Sequence, residues 1–168
     1  QARADRKRYP AVNPIDSYSK YIEYPEFEEY ISKRISPDWT SKVNDMKTIL
    51  QRGKEVQEQI NILGDDGVPV EYHLTFWKSE VIDFVILQQD AFDKIDSVCP
   101  IERQEYMLNL VMDICHSDFK FNGFLEVMDY FKGIINICKQ MNYSEFKSEN
   151  FEKYLADLNS VLAERKRV

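Results

Sequence analysis

Two long apolar stripes at helical spacing, separated by a six-residue turn, constrain this chain more than any other feature. Trp39, Val43, Met46, Leu50, Gly53, Val56, Ile60 and Leu63 recur at three- and four-residue steps, the period of one face of an α-helix. Ser36-Pro37 offers a helix start, with Ser as N-cap and Pro at the first helical position. Gly64-Asp65-Asp66-Gly67-Val68-Pro69 then breaks the helix, because Gly, Asp and Pro are the residues that turns require. A second helix is expected from about Val70 to Gln89, with Leu74, Trp77, Val81, Phe84 and Val85 inward. So short a turn leaves the two helices antiparallel and packed on each other.

The rest of the chain repeats this grammar. A helix is expected from Pro25 to Ile35, with Phe27, Ile31 and Ile35 on one face and Glu26, Glu28 and Glu29 solvated. Further stripes follow: one through Ile101 to Cys115 that ends near Phe119-Asn122-Gly123, one through Leu125 to Met141, and, after Asn142-Tyr143-Ser144, one through Phe151 to Leu162 that runs to the end. No period-two alternation competes with them. With only 5 glycines and 6 prolines in 168 residues, the composition favours long helices over a sandwich or barrel. The expected fold is all-α: a bundle of about five main helices built from antiparallel helix-turn-helix pairs. Residues 25–168 form that domain. Residues 1–24, carrying Pro10 and Pro14, read as an extended connector from a domain outside this chain.

Composition also excludes several functions. A net charge of -7 disfavours a nucleic-acid binder, which needs clustered Lys and Arg to neutralise phosphate. The basic groups Arg3/Arg6/Lys7/Arg8 and Arg165/Lys166/Arg167 lie at the two ends and read as solvated termini. Cys99, Cys115 and Cys138 lack any C-x-x-C spacing and suit reduced thiols in a helical core. No apolar run is long enough to span a bilayer as a helix. His73 and His116, with Glu71, Cys115 and Asp118 nearby, fall on separate helices without a repeated ligand spacing, so no metal site is expected. Cys115-His116 makes no nucleophile–base pair, since adjacent helix residues diverge. No catalytic residue is assigned.

Two short phrases are not explained by helix periodicity: Tyr9-Pro10-Ala11-Val12-Asn13-Pro14 and Leu87-Gln88-Gln89-Asp90-Ala91-Phe92. With Ile15-Asp16-Ser17-Tyr18-Ser19 after it, the first resembles the linker in catalytic subunits of rotary ATPases. Pro37-Asp38-Trp39, the Leu63–Pro69 turn, the Phe84–Phe92 stretch and Asp96-Ser97-Val98-Cys99-Pro100 follow in the order found in V/A-type catalytic subunits. Asp90 stands where that family usually has Asn, Pro14-Ile15 where it has Trp-Leu, and Gly67-Val68 where it has Ala-Leu. These departures suggest a divergent branch.

The resemblance implies the C-terminal helical domain of the catalytic subunit of a V/A-type rotary ATPase. Such a domain couples ATP hydrolysis or synthesis to rotor rotation and to proton or sodium transport. Tyr9 and Phe92 would flank an adenine ring, with Gln88, Gln89, Asp90 and Ala91 as the adjacent wall. Gly64, Asp65, Asp66, Gly67, Val68 and Pro69 would meet the rotor. ATP or ADP with Mg would be held by the full subunit. No cofactor is expected for this stretch alone, because it has no G-x-x-x-x-G-K-[ST] phosphate loop. The implied partners are non-catalytic B subunits in a hexameric ring and the central rotor stalk. Contact with the membrane is indirect, through the ion-translocating sector, on its cytoplasmic side. The bland alternative is a freestanding helical interaction module without a nucleotide link, which leaves the ordered phrases unexplained.

Overall fold

The computed structural model describes residues 2–5, 7–17 and 19–165. Among them every regular element is helical. A short α1 (Ala2–Asp5) lies in the connector, and α2 spans Pro25–Arg34 with Pro25 at its first turn. The long pair is α3 (Trp39–Leu63) and α4 (Val70–Ile82). Three helices follow, α5 (Ile101–His116), α6 (Phe124–Asn142) and α7 (Glu149–Arg165). Arg6, Tyr18, Lys166 and Arg167, all part of the sequence expectations, fall outside the described residues.

The architecture is built around α4. It packs along α3 on one side and against α5 and α6 on the other, while α7 covers α6. Being enclosed, α4 buries more than one stripe: Val81, Ile82 and Val85 are all inaccessible or nearly so. Met107, Leu108 and Val111 of α5 and Val127, Phe131, Ile134 and Cys138 of α6 belong to one continuous core. Phe119, Phe121 and Tyr130 gather around Phe131 with ring centroids 5.2–6.4 Å apart, within the range in which edge-to-face pairs attract.

The helix-turn-helix pair is tightly packed where α3 carries Gly53. A Cβ at that position would lie 2.0 Å from Ser79 Oγ and 2.2 Å from Ser79 Cβ. Gly53 therefore serves as a notch that admits α4, and the apolar stripe on α3 is interrupted there for a steric reason.

Four expectations need correction. Ser36 does not cap α3: the helix begins at Trp39, and Ser36 Oγ instead hydrogen-bonds the Asp38 carboxylate. The α-helical part of α4 ends at Ile82, and residues 83–87 form a π-helical turn closed by Gln88 N–H donating to Asp83 C=O at 3.0 Å. Leu63 is not inward. It is 60% exposed and Ile62 is 80% exposed, so the tip of the pair is apolar. Arg3 and Arg8 are not solvated. Arg8 Nη2 is 2.6 Å from Glu80 Oε2 and its Nη1 3.3 Å from Asp83 Oδ2, while Arg3 also pairs with Asp83. The Arg8 guanidinium sits 3.5 Å from the Phe84 ring centroid. The connector is thus strapped along α4. Arg165 is the partly exposed case, with Nη1 3.7 Å from Glu126.

Candidate functional site

A groove of about 400 Å³ opens where the connector crosses the end of α4. Tyr9 and the whole Gln88–Phe92 run line it, so the two phrases that stood 78 residues apart in sequence meet at one surface. The meeting is direct: Gln89 N–H donates to Tyr9 C=O at 3.2 Å. The strap through Arg8, one residue before Tyr9, sets the connector's approach.

The Gln88–Asp96 loop is organised by its own carboxylates. Asp90 Oδ1 accepts from Phe92 N–H at 2.9 Å, an Asx-type turn. Asp93 Oδ1 accepts from Ile95 N–H at 2.9 Å and from Asp96 N–H at 2.8 Å. Gln89 Nε2 donates to Asp96 C=O at 2.7 Å, and Asp96 Oδ2 accepts Asp90 N–H at 2.6 Å. Burial raises the Asp96 pKa above the usual carboxylate value; the Asp90 N–H bond and the Arg103 charge oppose that shift. Gln89 and Asp90 are thereby committed to holding the loop, and their side chains act on the groove through its shape.

This turn displays Phe92 fully, at 99% exposure, with Tyr9 58% exposed. Phe92 is therefore not the core anchor that an aromatic residue at a helix end commonly is. An aromatic face left open can stack on a planar base, an interaction worth about 1–3 kcal/mol. The chemistry available is recognition of a flat ring.

Sequence reasoning missed the groove's other walls. Lys7 and Phe84 contribute from the connector and the π-turn, and Lys139, Asn142 and Tyr143 from the end of α6. Lys139 Nζ lies 5.4 Å from the Phe84 ring centroid. Burial, followed by the charges of Asp90, Asp96 and Asp93, raises the Tyr143 pKa, so its hydroxyl stays protonated. Nothing in the local sequence marks Lys139, Asn142 and Tyr143, since α6 reads as an ordinary amphipathic helix.

At the far end of the pair, Asp65–Gly67 forms a 3-10 turn and Gly64 adopts φ +82°, the left-handed region that suits glycine. His73 is buried beneath the turn, with Nε2 2.9 Å from Asp65 C=O and its ring stacked on Phe124 at 5.2 Å. His116 faces Asp45, with Nε2 2.7 Å from Oδ2. No helix among the described residues is long and apolar enough to cross a membrane.

The fold and groove define an all-helical domain with a strapped connector, an aromatic-edged recess at one end and a tight apolar-acidic tip at the other. The family model described as "C-terminal domain of V and A type ATP synthase" matches residues 28–120, and the chain belongs to that family. It is 34% identical over 167 residues to the V-type ATP synthase alpha chain of Protochlamydia amoebophila, covering 99% of this chain and 28% of that protein. The alpha chains of Borrelia duttonii and Chlamydia trachomatis serovar L2 are also 34% identical, over 166 and 162 residues, covering 98% and 96% of this chain. The chain spans about a quarter of the length of these curated relatives, 26–28%. The matches to relatives run through α6 and α7, whereas the family model stops at residue 120.

Proposed function

We propose that this chain is the C-terminal helical domain of a V/A-type rotary ATPase catalytic subunit, that it supplies the adenine edge of the nucleotide site, and that its tip bears on the rotor. The observation that carries this reading is the convergence of Tyr9 and a fully exposed Phe92 on one groove. Residues 1–24 connect to the nucleotide-binding domain, and residues 25–168 form the helical domain. Tyr9 and Phe92 stack on the base, and Gln88–Ala91 shape the wall beside it. The subunit's phosphate loop and Mg²⁺ ligands lie outside this chain. Its own residues bind and orient the base, and no step of phosphoryl transfer falls to them.

The tip assignment rests on mechanics. From Val70 to the groove, α4 and its π-turn cover 18 residues, roughly 25 Å at helical rise. A helix pair interlocked at Gly53 carries displacement over that length as a rigid rod. Gly64 to Pro69 form the rotor-facing surface, to which Ile62 and Leu63 add exposed apolar area. Asp65 and Asp66 steer the approach of a basic partner surface more than they add affinity. The partners in this reading are the non-catalytic B subunits of a hexameric ring and the central stalk, in an assembly driving proton or sodium transport from the cytoplasmic side of a membrane.

The test is kinetic. In the assembled ATPase, Tyr9→Ala/Phe92→Ala is expected to raise the KM for ATP about 10-fold or more, one stacking contact's worth or greater, with kcat changed far less. Unchanged nucleotide kinetics would remove the base-edge assignment.

A further inference from the structure

Arg103 is the largest fully buried side chain in the core, 1% exposed, and it does not line the groove. It falls on the inward stripe of α5, four residues before Met107 and eight before Val111, where an apolar residue would be expected. Its guanidinium joins three parts of the chain. Nη2 donates to the main-chain oxygen of Asn142 and lies 3.3 Å from Asn142 Oδ1, at the end of α6. Nη1 donates to Ile95 C=O at 3.4 Å. Nη2 also lies 3.6 Å from Asp96 Oδ1.

Asn142 and Asp96 both line the groove. Asn142 Nδ2 donates to Val85 C=O in the π-turn at 2.9 Å. Asp96 holds Asp90 N–H through its carboxylate and Gln89 Nε2 through its carbonyl. Arg103 Nε is buried without a hydrogen-bond partner, a cost that an apolar residue of similar volume would avoid. Stability alone is a poor reason for an arginine here. What it does supply is a fixed distance between α5, the end of α6 and the loop that displays Phe92.

We infer that Arg103 is a positioning residue for nucleotide binding: through Asp96 and Asn142 it sets where the Gln88–Phe92 loop stands against the base. The inference rests on the base-edge reading of the groove. It also gives the end of α6, beyond the stretch matched by the family model, a definite part in that site.

The test uses the full-length subunit in its assembled ATPase, with ATP as the probe. Arg103→Met is expected to raise KM about 10-fold, comparable to losing one base-stacking contact, with kcat held within about 2-fold. Arg103→Lys should fall between Met and wild type, because an ammonium keeps the charge but not the planar fork. Arg103→Met combined with Phe92→Ala should have no higher KM than Phe92→Ala alone, since the arginine acts through that loop. If Arg103→Met does not fold, Asp96→Asn serves instead, with a KM rise of about 3-fold and the same non-additivity expected. A KM within 2-fold of wild type, a loss carried by kcat, or additive effects with Phe92→Ala each overturn the inference. Phe92→Ala separates the two claims: if it leaves KM unchanged, the base-edge reading has failed, and if it raises KM while the Arg103 variants do not, only the positioning role has.

Discussion

Replacing Gly53 by Ala lowers the stability of this chain by about 2 kcal/mol, a fall in Tm of roughly 4–8 °C for a domain of this size. The direction is unusual, because alanine is the better helix former by about 1 kcal/mol. Gly53 lies in the middle of α3, where that preference should apply. The crossing reverses it. The added methyl would stand 2.0 Å from Ser79 Oγ and 2.2 Å from Ser79 Cβ, so rotating the hydroxyl cannot relieve the overlap. Either α3 and α4 separate or the backbone shifts, and both loosen the packing of the pair. Ser79→Gly removes the Cβ that Gly53→Ala strikes, so the double variant should recover most of the loss despite the flexibility of a second helical glycine. Thermal or urea unfolding of the four chains measures this. A Gly53→Ala chain as stable as wild type would mean the helices do not meet here.

Charge reversal at Arg8 has the second large effect, on the connector. The Arg8 side chain is 12% exposed and lies between Glu80 and Asp83, which are 13% and 14% exposed. Exposed ion pairs contribute about 0–1 kcal/mol, while removing one member of a buried pair costs about 3–5 kcal/mol. This clamp falls between, and Arg8→Glu adds repulsion to the loss of attraction. The expected result is release of residues 7–13 from α4, seen as about 30-fold faster exchange of the Gln89 amide, whose N–H donates to Tyr9 C=O, the rate equivalent of roughly 2 kcal/mol. Arg8→Glu/Glu80→Arg should restore part of the protection. An unchanged Gln89 exchange rate in Arg8→Glu would show that the strap is not what holds the connector. In the assembled enzyme the same release should carry Tyr9 away from Phe92.

These two residues show what the sequence discloses and what it conceals. Helix periodicity gives α3 to α7 in their order, with the end of α3 at Leu63 and the start of α4 at Val70, because each has a strong apolar stripe and punctuation by Gly, Pro or Asp; it overruns the ends of α4 and α5, which stop at Ile82 and His116. Periodicity also put Gly53 on the inward face of α3, but not that it is a steric notch, which depends on the facing residue of another helix. Arg3 and Arg8 looked like a solvated terminus, since a run of basic residues carries no sign of the carboxylates 70 to 80 positions away. In the sequence the π-turn at Asp83–Leu87 is indistinguishable from ordinary helix, because one extra residue in a single turn leaves the apolar pattern nearly intact. Tyr9 and Gln88–Phe92 were legible through family resemblance, whereas Lys139, Asn142 and Tyr143 reach the groove only through the packing of α6 on α4. Arg103 carried a usable signal: an arginine in register with Met107 and Val111.

The base-edge claim is tested most directly by photolabelling the assembled ATPase with 2-azido-ATP and mapping the adducts. Labelling is expected in the peptide that contains Tyr9 and in the peptide spanning Gln88–Phe92, both suppressed by excess ATP. Saturable labelling that reaches neither peptide would contradict it.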